Sequence, residues 1–268
     1  MADTAAAFDW NASDYERHSS AQKRWAVELL EKLTLRDHEQ VLDLGCGDGR
    51  ITAEIAQRVP NGLATGVDSS TAMIAHARDT FGRGKVPNLR LARADARALP
   101  FSEAFDVVFS NAVLHWVKDH RAVLRGLSRS LRPGGRVLMQ MGGRGNAAGI
   151  LEIAEPLFHS LRWQWYFEGF VSPYAFYGPE EYRGWLAEAG LTPARLELIP
   201  KDMLHAGQAG LEGWIRTTWQ PYTSRLPEGE RPDFIAEVAG RYLEHHPLDG
   251  DGQAHVEMVR LEVEAQKA

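Results

Sequence analysis

The chain has 268 residues, of which 44% are hydrophobic and 25% charged, values typical of a globular protein that buries a large core. Its formal net charge of −6 argues against a nonspecific nucleic-acid binder, which would need a basic face. One cysteine excludes an internal disulfide, and neither a signal peptide nor an apolar run of membrane-spanning length is recognisable. We therefore expect a cytoplasmic protein that acts on a small molecule and binds neither membranes nor nucleic acid.

The first half of the chain alternates between strand-like and helix-like segments. Apolar residues at helical spacing predict helices over 21–33, 50–59, 70–81 and 120–131. Short apolar runs predict strands over 40–45, 64–70, 89–96, 104–112 and 136–142, the last preceded by a turn, "RPGG", at 132–135. This alternation predicts βαβ units and a parallel sheet. Ser69 or Ser70 is placed to cap the third helix.

The second half contains two irregular stretches, 143–178 and 207–255, the first rich in aromatic side chains. Between them lie a predicted helix over 179–191, closed by glycine, and a strand over 194–200. Ligands bind outside the carboxyl ends of parallel strands, so segments inserted there form lids and pockets. We expect a single domain with an N-terminal helical cap (1–39), a core (40–142) and two lid segments (143–178 and 207–255).

The tail of the chain, 256–265, predicts one more strand. Val259, Leu261 and Val263 alternate with the charged Arg260, Glu262 and Glu264. Such alternation is typical of a strand with one buried and one solvated face.

The stretch "VLDLGCGDGR" (41–50) places an acid in a buried strand and then glycines at 45, 47 and 49. A dinucleotide-binding loop would have its third glycine at Arg50, so this spacing disfavours a nicotinamide-dependent oxidoreductase. The pattern instead resembles that of class I S-adenosylmethionine (SAM) dependent methyltransferases. The resemblance implies an α/β, Rossmann-like fold with a mostly parallel seven-stranded sheet and helices on both faces. It also implies SAM as cofactor and S-adenosylhomocysteine as product.

The same resemblance implies which residues contact the cofactor. Asp43 would hold the methionine end, and Asp68, which ends the second strand, would accept hydrogen bonds from the ribose hydroxyls. Asp95 and the backbone of Ala96 would bind the adenine amine and ring. The other implied contacts are Trp10, Tyr15, Gly45, Cys46, Gly47, Ser69, Met73 (against the adenine face) and Asn111.

The acceptor is predicted from two further stretches. Ser110-Asn111-Ala112-Val113 lacks the prolines typical of methyltransferases that act on nucleic-acid amines, which favours a small acceptor. "WNASDYERHSSAQKRWA" (10–26) and "SNAVLHWVKDH" (110–120) resemble small-molecule carboxyl methyltransferases of the trans-aconitate and juvenile hormone acid types. That resemblance implies that Gln22 and Trp116 hydrogen-bond the substrate carboxylate, with His115 and His18 as further contacts. An ionised carboxylate is already a nucleophile, so no general base is needed.

Other readings remain open at this point. Methylation of a phenol, a carbon or an amine would want a general base, for which His115 is the candidate, and the rate would then rise through a pKa near 7. A protein that binds SAM without turnover is a further alternative. Arg144, Arg162, Arg216 and Arg225 could bind extra carboxylates of a substrate. No metal site is predicted, since Arg260 stands where a calcium loop starting at "DGDG" (249–252) requires glutamate.

Overall fold

The computed structural model describes residues 20–268 apart from residue 83, with side chains described from residue 24 onward. The strands are β1 (Gln40–Leu44), β2 (Leu63–Asp68), β3 (Leu89–Arg93), β4 (Phe105–Asn111), β5 (Leu131–Gly142), β6 (Leu191–Ala206) and β7 (Gln253–Lys267). They form one sheet in the order β3-β2-β1-β4-β5-β7-β6. β1 to β5 are parallel, whereas β7 runs antiparallel to both of its neighbours. The predicted mostly parallel seven-stranded sheet is thereby confirmed.

Helices cover both faces of this sheet. They are α1 (Ser20–Glu31), α2 (Arg50–Arg58), α3 (Thr71–Phe81), α4 (His120–Ser130), α5 (Ala148–Phe158), α6 (Gln164–Phe167), α7 (Pro179–Glu188), α8 (Gly207–Thr218), α9 (Gln220–Thr223) and α10 (Arg231–His245). One core cluster joins α1 and α2 to one face, and another joins α4 and α7 to the other. Ser70 caps α3 by accepting the backbone N–H of Met73 at 3.3 Å. None of the described helices is both long and apolar enough to cross a bilayer.

The "RPGG" segment differs from its prediction as a turn before the fifth strand. Leu131 already pairs with Phe105, and the register shifts before Arg136 pairs with Val107. Gly134 adopts a φ of 73° within this stretch. The extra residues are therefore an irregularity inside β5, where a glycine with positive φ absorbs them.

The β6–β7 hairpin is longer than predicted and extends beyond the rest of the sheet. β5 ends where Gly142 pairs with Arg260, so residues 253–259 pair with β6 alone. A separate core cluster forms on this extension from α5, α8, α9 and α10; its largest buried side chains include Trp163, Trp214, Trp219, Tyr222 and Phe234. The two stretches that looked irregular in the sequence thus contain helices that share one core on the projecting hairpin.

Two of the three charged residues on the predicted solvated face of β7 are buried, so the prediction is wrong for Arg260 and Glu262, whereas Glu264 stays partly exposed. Arg260 is 4% exposed and Glu262 is 0% exposed. Helix α1 covers this face through Trp25, which packs on the guanidinium of Arg260. Lys32, in the turn directly after α1, places its Nζ 2.9 Å from both carboxylate oxygens of Glu262. Alternation along a strand separates two faces, but it does not reveal what packs against the polar one.

Candidate active site

The glycine loop after β1 lies where the strand order reverses, with β2 on one side of β1 and β4 on the other. Gly45 has a φ of 76° and donates its N–H to the carbonyl of Val67 at 2.7 Å. A Cβ on Gly45 would lie 2.0 Å from Val113, so this close approach requires glycine. Gly47 has a φ of 51°, and no heavy atom lies within 4 Å of its would-be Cβ. The backbone is therefore open to a ligand at the switch point of the sheet, where ligands of α/β proteins bind.

Asp68 ends β2 beside this loop. Its Oδ2 accepts the N–H of Gly47 at 3.0 Å, and its Oδ1 accepts the N–H of Ser70 at 2.8 Å. Burial raises the pKa of Asp68 above its usual range. An ionised carboxylate accepts about four hydrogen bonds, so two backbone donors leave capacity for the paired hydroxyls of a ribose. The geometry suits the predicted role.

Asp43 lies behind the loop and is 3% exposed. Its Oδ2 accepts the hydroxyl of Thr52 at 2.6 Å, a partner that the sequence did not indicate. Burial, together with the charges of Asp68 and Asp48, raises the pKa of Asp43 to about 7, although the hydrogen bond from Thr52 lowers it. A cation placed beside Asp43 would therefore favour its ionised form.

The turn after β3 carries the predicted adenine contacts. The backbone N–H of Ala94 donates to the carbonyl of Asp68 at 3.0 Å, which joins this turn to the end of β2. The carboxylate of Asp95 accepts the backbone N–H of Arg97 and binds its guanidinium at 2.7 Å. An adenine amine that donated a hydrogen bond to Asp95 would share its carboxylate with the backbone N–H and the guanidinium of Arg97. Ala96 is buried in the following 3-10 helix.

The remaining predicted cofactor residues surround the same edge. Met73 is 6% exposed in the first turn of α3, and Cys46 is 7% exposed. Burial raises the pKa of the Cys46 thiol, so its side chain stays protonated and offers no thiolate. Ser69 is exposed, and Asn111 ends β4. Their contacts with a cofactor stay predictions.

The loop after β4 forms the second half of the site. Ala112 has a φ of 58°, unusual for a residue with a side chain, and donates its N–H to the carbonyl of Gln140 at 2.8 Å. The chain then enters a 3-10 helix, Leu114–Trp116, that carries the two predicted substrate contacts. His115 is 8% exposed, and its Nδ1 accepts the N–H of Gly142 at 3.3 Å.

The environment of His115 keeps its imidazole neutral. Burial lowers the pKa of His115 well below its usual value, and the positive charge of Arg260 contributes to the lowering. Since Nδ1 accepts a backbone N–H, the proton of the neutral ring lies on Nε2. His115 is thus a hydrogen-bond donor. The lowered pKa argues against a base that titrates near pH 7, because it moves the titration of this ring below the neutral range.

Aromatic rings from the first lid segment pack against this loop. The ring of Tyr174 lies 4.9 Å from that of Trp116 and stacks on Phe176 at 5.0 Å. The backbone N–H of Ala175 donates to the carbonyl of His115 at 2.9 Å. Other aromatics of this segment lie elsewhere: Trp163 is in the separate core, and Trp165 is 75% exposed. The aromatic rings that pack against this loop are therefore a small part of the aromatic-rich segment.

A buried pair behind the loop fixes its backbone. The Nε2 of His120 donates to the carbonyl of Leu114 at 2.8 Å, and the hydroxyl of Tyr182 lies 2.6 Å from Nδ1. Burial lowers the pKa of His120 to about 4. Neutral His120 therefore holds the turn that presents His115 and Trp116, a role that the sequence did not reveal.

The arginines proposed as substrate clamps bind protein groups instead. Arg144 pairs with Glu181 and Arg162 with Asp233, while Arg225 donates to the carbonyl of Tyr166 at 2.6 Å. Arg216 is exposed on α8. The buried arginine near the site is Arg260, which the sequence placed on a solvated face.

Several predicted residues lie outside the described part of the chain. Trp10, Tyr15 and His18 fall there, and Gln22 belongs to α1 without a described side chain. Among the described residues, no group of three or more His, Cys, Asp or Glu side chains is arranged to hold a metal ion.

Comparison with known proteins supports this geometry. A family model described as a methyltransferase domain matches residues 41–135. Trans-aconitate 2-methyltransferase from Shigella flexneri serotype 5b is 33% identical over 260 residues, which cover 97% of this chain and 98% of that protein. The chain belongs to the class I SAM-dependent methyltransferases, in the family of trans-aconitate 2-methyltransferase. It is therefore a SAM-dependent methyltransferase, not an oxidoreductase.

Solved structures of low sequence identity share the fold of this methyltransferase. The YcgJ protein from Bacillus subtilis has a TM-score of 0.62 at 16% identity, covering 91% of this chain and 98% of that one. Phosphoethanolamine N-methyltransferase 2 from Haemonchus contortus, solved with S-adenosyl-L-methionine, has a TM-score of 0.59 at 20% identity; the match covers 96% of this chain and 56% of that one. The Rossmann-like methyltransferase fold is thereby confirmed.

Proposed function

We propose that this methyltransferase transfers a methyl group to a carboxylate oxygen of a small acid. The observation that carries the proposal is the neutral His115 beside Trp116, at the carboxyl edge of the sheet next to the glycine loop. Such a site can donate hydrogen bonds to an anionic substrate, but it has no general base that would remove the proton of an alcohol. The relative with 33% identity is named for trans-aconitate, which is a carboxylic acid.

The residues around the glycine loop fit SAM. Gly47 leaves open space beside its backbone, Asp68 has acceptor capacity for hydroxyls, and buried Asp43 can compensate a cation. SAM supplies a methyl group on a positively charged sulfur, which a nucleophile attacks in line. The protein therefore has to hold the acceptor carboxylate in that line and keep water away.

Two neutral donors would orient the carboxylate. The indole N–H of Trp116 and the side-chain amide of Gln22 are the predicted pair, with Nε2–H of His115 beside them. Neutral donors fix the anion without the strong ion pair that would reduce its nucleophilicity. Positioning of this kind contributes up to about 7–11 kcal/mol to the barrier reduction.

The two lid segments (143–178 and 207–255), together with the N-terminal cap (1–39), would exclude water from the transfer. Tyr174 and Phe176 already lie 6.2 and 6.3 Å from the ring of His115. The buried core on the projecting hairpin contacts these rings through Tyr222, whose ring lies 5.8 Å from that of Tyr174. A dry pocket strengthens each hydrogen bond to the substrate.

A SAM-dependent activity screen tests the proposal. Carboxylic acids, phenols and amines are incubated with the enzyme and SAM, and products are identified by mass spectrometry. We expect methyl esters, recognisable because mild alkali hydrolyses them. Methylation confined to phenols, carbons or amines would replace this proposal with one of the alternative acceptors, and SAM binding without turnover on any class would also contradict it.

A further inference from the structure

We propose that a cleft between the start of α4 and α7 binds a nucleoside di- or triphosphate, with the base against aromatic rings and the phosphates against basic side chains. This ligand is neither the cofactor nor the methyl acceptor, so the inference does not depend on which atom receives the methyl group. The cleft has a volume of about 360 Å³, within the range of small-molecule pockets, and is lined by Lys118, Asp119, His120, Arg121, Tyr177 and Trp185.

Three rings form the apolar part of the cleft. The ring of Tyr177 lies 4.7 Å from that of Trp185 at an interplanar angle of 84°, and 4.7 Å from that of His120 at 78°. Tyr177 and Trp185 are partly exposed, whereas His120 is 1% exposed at the base of the cleft. Partly exposed aromatic rings are surfaces on which a planar base packs.

Basic side chains border these rings. The guanidinium of Arg121 lies 5.7 Å from the ring centroid of Trp185, and Lys118 lines the same cleft. Arg125 is exposed about one helical turn further along α4, which places it about 6 Å from Arg121 along the helix axis. Among the described residues, no carboxylate forms an ion pair with Lys118 or Arg125. Three cations in this arrangement suit a group with several negative charges.

Nearby carboxylates offset little of this charge. Helix α4 contains three arginines and neither Asp nor Glu, in a chain whose formal net charge is −6. Glu188 lies 3.5 Å from Arg121, but both side chains are 56% exposed, so water screens this pair. Asp119 accepts the backbone N–H of Ala122 at 2.9 Å and caps α4. The surface along Arg121 and Arg125 therefore stays positive.

The cleft adjoins the back of the active site. The hydroxyl of Tyr177, at the end of the first lid segment (143–178), donates to the carbonyl of Lys118 at 3.0 Å. His120 donates to the carbonyl of Leu114 at 2.8 Å, in the loop after β4. A ligand that packs on Tyr177 and pairs with Lys118 would hold the lid segment against this loop. Binding stabilises the arrangement to which the ligand binds.

Calorimetry on the complex with S-adenosylhomocysteine tests the site, because the cofactor pocket is then filled. The probes, in magnesium-free buffer, are guanosine triphosphate (GTP), guanosine and tripolyphosphate. We expect GTP to bind with a Kd below about 100 μM, and guanosine and tripolyphosphate each to bind at least about tenfold more weakly. Absence of GTP binding in this range, or tripolyphosphate binding as tight as that of GTP, would overturn the inference.

Two variants separate the base from the phosphates. Trp185→Leu should weaken GTP about tenfold, the effect of losing one base–aromatic contact, and leave tripolyphosphate unchanged. Arg125→Gln should weaken GTP and tripolyphosphate several-fold and leave guanosine unchanged. Arg162→Gln is the matched control: Arg162 also lies over a tryptophan, 4.3 Å from the ring of Trp163, but it pairs with Asp233. This control should bind GTP as the wild type does.

Wild-type affinity for GTP in both variants would mean that the nucleotide binds elsewhere, and would overturn the inference. A uridine decamer that binds more than about tenfold tighter than GTP, and is released by Arg125→Gln, would assign this surface to a nucleic-acid strand and also overturn it. If Trp185→Leu no longer binds S-adenosylhomocysteine, the three probes on the wild type and on Arg125→Gln still decide.

Hydrogen exchange tests the link to the lid segment. The backbone N–H of Ala175 donates to the carbonyl of His115 at 2.9 Å, two residues before Tyr177. Saturating GTP should slow exchange at Ala175 in the wild type but not in Trp185→Leu at the same GTP concentration. Unchanged exchange in wild type with GTP bound would contradict the link between this cleft and the lid.

Discussion

The backbone N–H of Gly142 donates to Nδ1 of His115 at 3.3 Å, so the end of β5 determines that Nε2 carries the proton of the ring. Because burial lowers the pKa of His115 well below its usual value, the ring is neutral throughout the neutral pH range. We expect kcat/KM with a carboxylic acid to be flat from about pH 6 to 9. Replacement His115→Ala should lower kcat/KM about tenfold by removing a donor, without changing the shape of the profile.

The alternative outcome is equally specific. A rate that rises near pH 7 in the wild type and becomes flat in His115→Ala would show that His115 removes a proton, and would contradict its assignment as a neutral donor.

Trp116 provides the second test of the donor arrangement. Trp116→Phe keeps an aromatic ring against Tyr174, whose centroid lies 4.9 Å away, but deletes the indole N–H. We expect kcat/KM to fall roughly ten- to a hundredfold while SAM affinity stays nearly unchanged. Trp165→Phe is the matched control, since Trp165 is 75% exposed and should show wild-type kinetics. If Trp116→Phe leaves kcat/KM unchanged, the indole N–H of Trp116 does not bind the substrate.

Asp43 should link cofactor binding to proton release. Its pKa is raised to about 7 by burial, so the carboxyl is partly protonated at neutral pH without a ligand. If the amino group of the cofactor lies beside it, binding of S-adenosylhomocysteine at pH 7 should release up to about half a proton. Calorimetry in two buffers of different ionisation enthalpy measures this number, and Asp43→Asn should abolish the release.

The same raised pKa affects the stability of the cofactor-free protein. The folded state binds the Asp43 proton more tightly than the unfolded chain does, so this residue destabilises the fold increasingly as pH rises from about 4 to 7. The melting temperature of Asp43→Asn relative to wild type should therefore increase over that interval. A constant difference would contradict the raised pKa.

Asp68 should carry much of the cofactor affinity. It is bound by the N–H groups of Gly47 and Ser70, which aim its carboxylate at the glycine loop. Asp68→Ala should weaken binding of S-adenosylhomocysteine by about 1.5–3 kcal/mol, the range for hydrogen bonds to a charged group. Asp79→Ala, on the exposed side of α3, should leave the affinity unchanged. If both variants bind S-adenosylhomocysteine with equal affinity, Asp68 does not contact the cofactor.

His255 should stabilise the projecting hairpin in a pH-dependent way. Its ring lies 3.0 Å from Asp249 and 2.7 Å from Asp202, and these two carboxylates raise its pKa. The contribution to stability is complete below the unfolded pKa of about 6.5 and is lost as pH rises through the raised folded value. His255→Gln should lower the melting temperature at pH 6 but not at pH 9. His245→Gln, on the exposed end of α10, should lower it at neither pH.

Local sequence patterns were sufficient to predict the strands and helices of the parallel half of the sheet. The predicted strand over 40–45 corresponds to Gln40–Leu44 and the predicted helix over 50–59 to Arg50–Arg58. These elements depend on apolar periodicity and on a glycine turn, both of which are encoded in neighbouring residues. The same locality explains why the glycine loop and Asp68 could be recognised, since strand ends of a parallel sheet meet at one edge.

The environments of individual side chains were decided only by packing. Arg260 and Glu262 follow the alternation of a solvated face, yet α1 and the turn after it cover them from more than 200 residues away in the chain. The contacts Trp25–Arg260 and Lys32–Glu262 show this. In the sequence, His115 could be either a substrate contact or a general base, but burial, the charge of Arg260 and the N–H of Gly142 favour a neutral donor. The parallel strands, their helices and the glycine turn could be predicted from the sequence, because neighbouring residues encode them, and the resemblance to methyltransferases supplied the rest of the fold and the cofactor. Which charges are buried, and which ring nitrogen of His115 carries the proton, became clear from the folded structure, because both depend on contacts between distant segments.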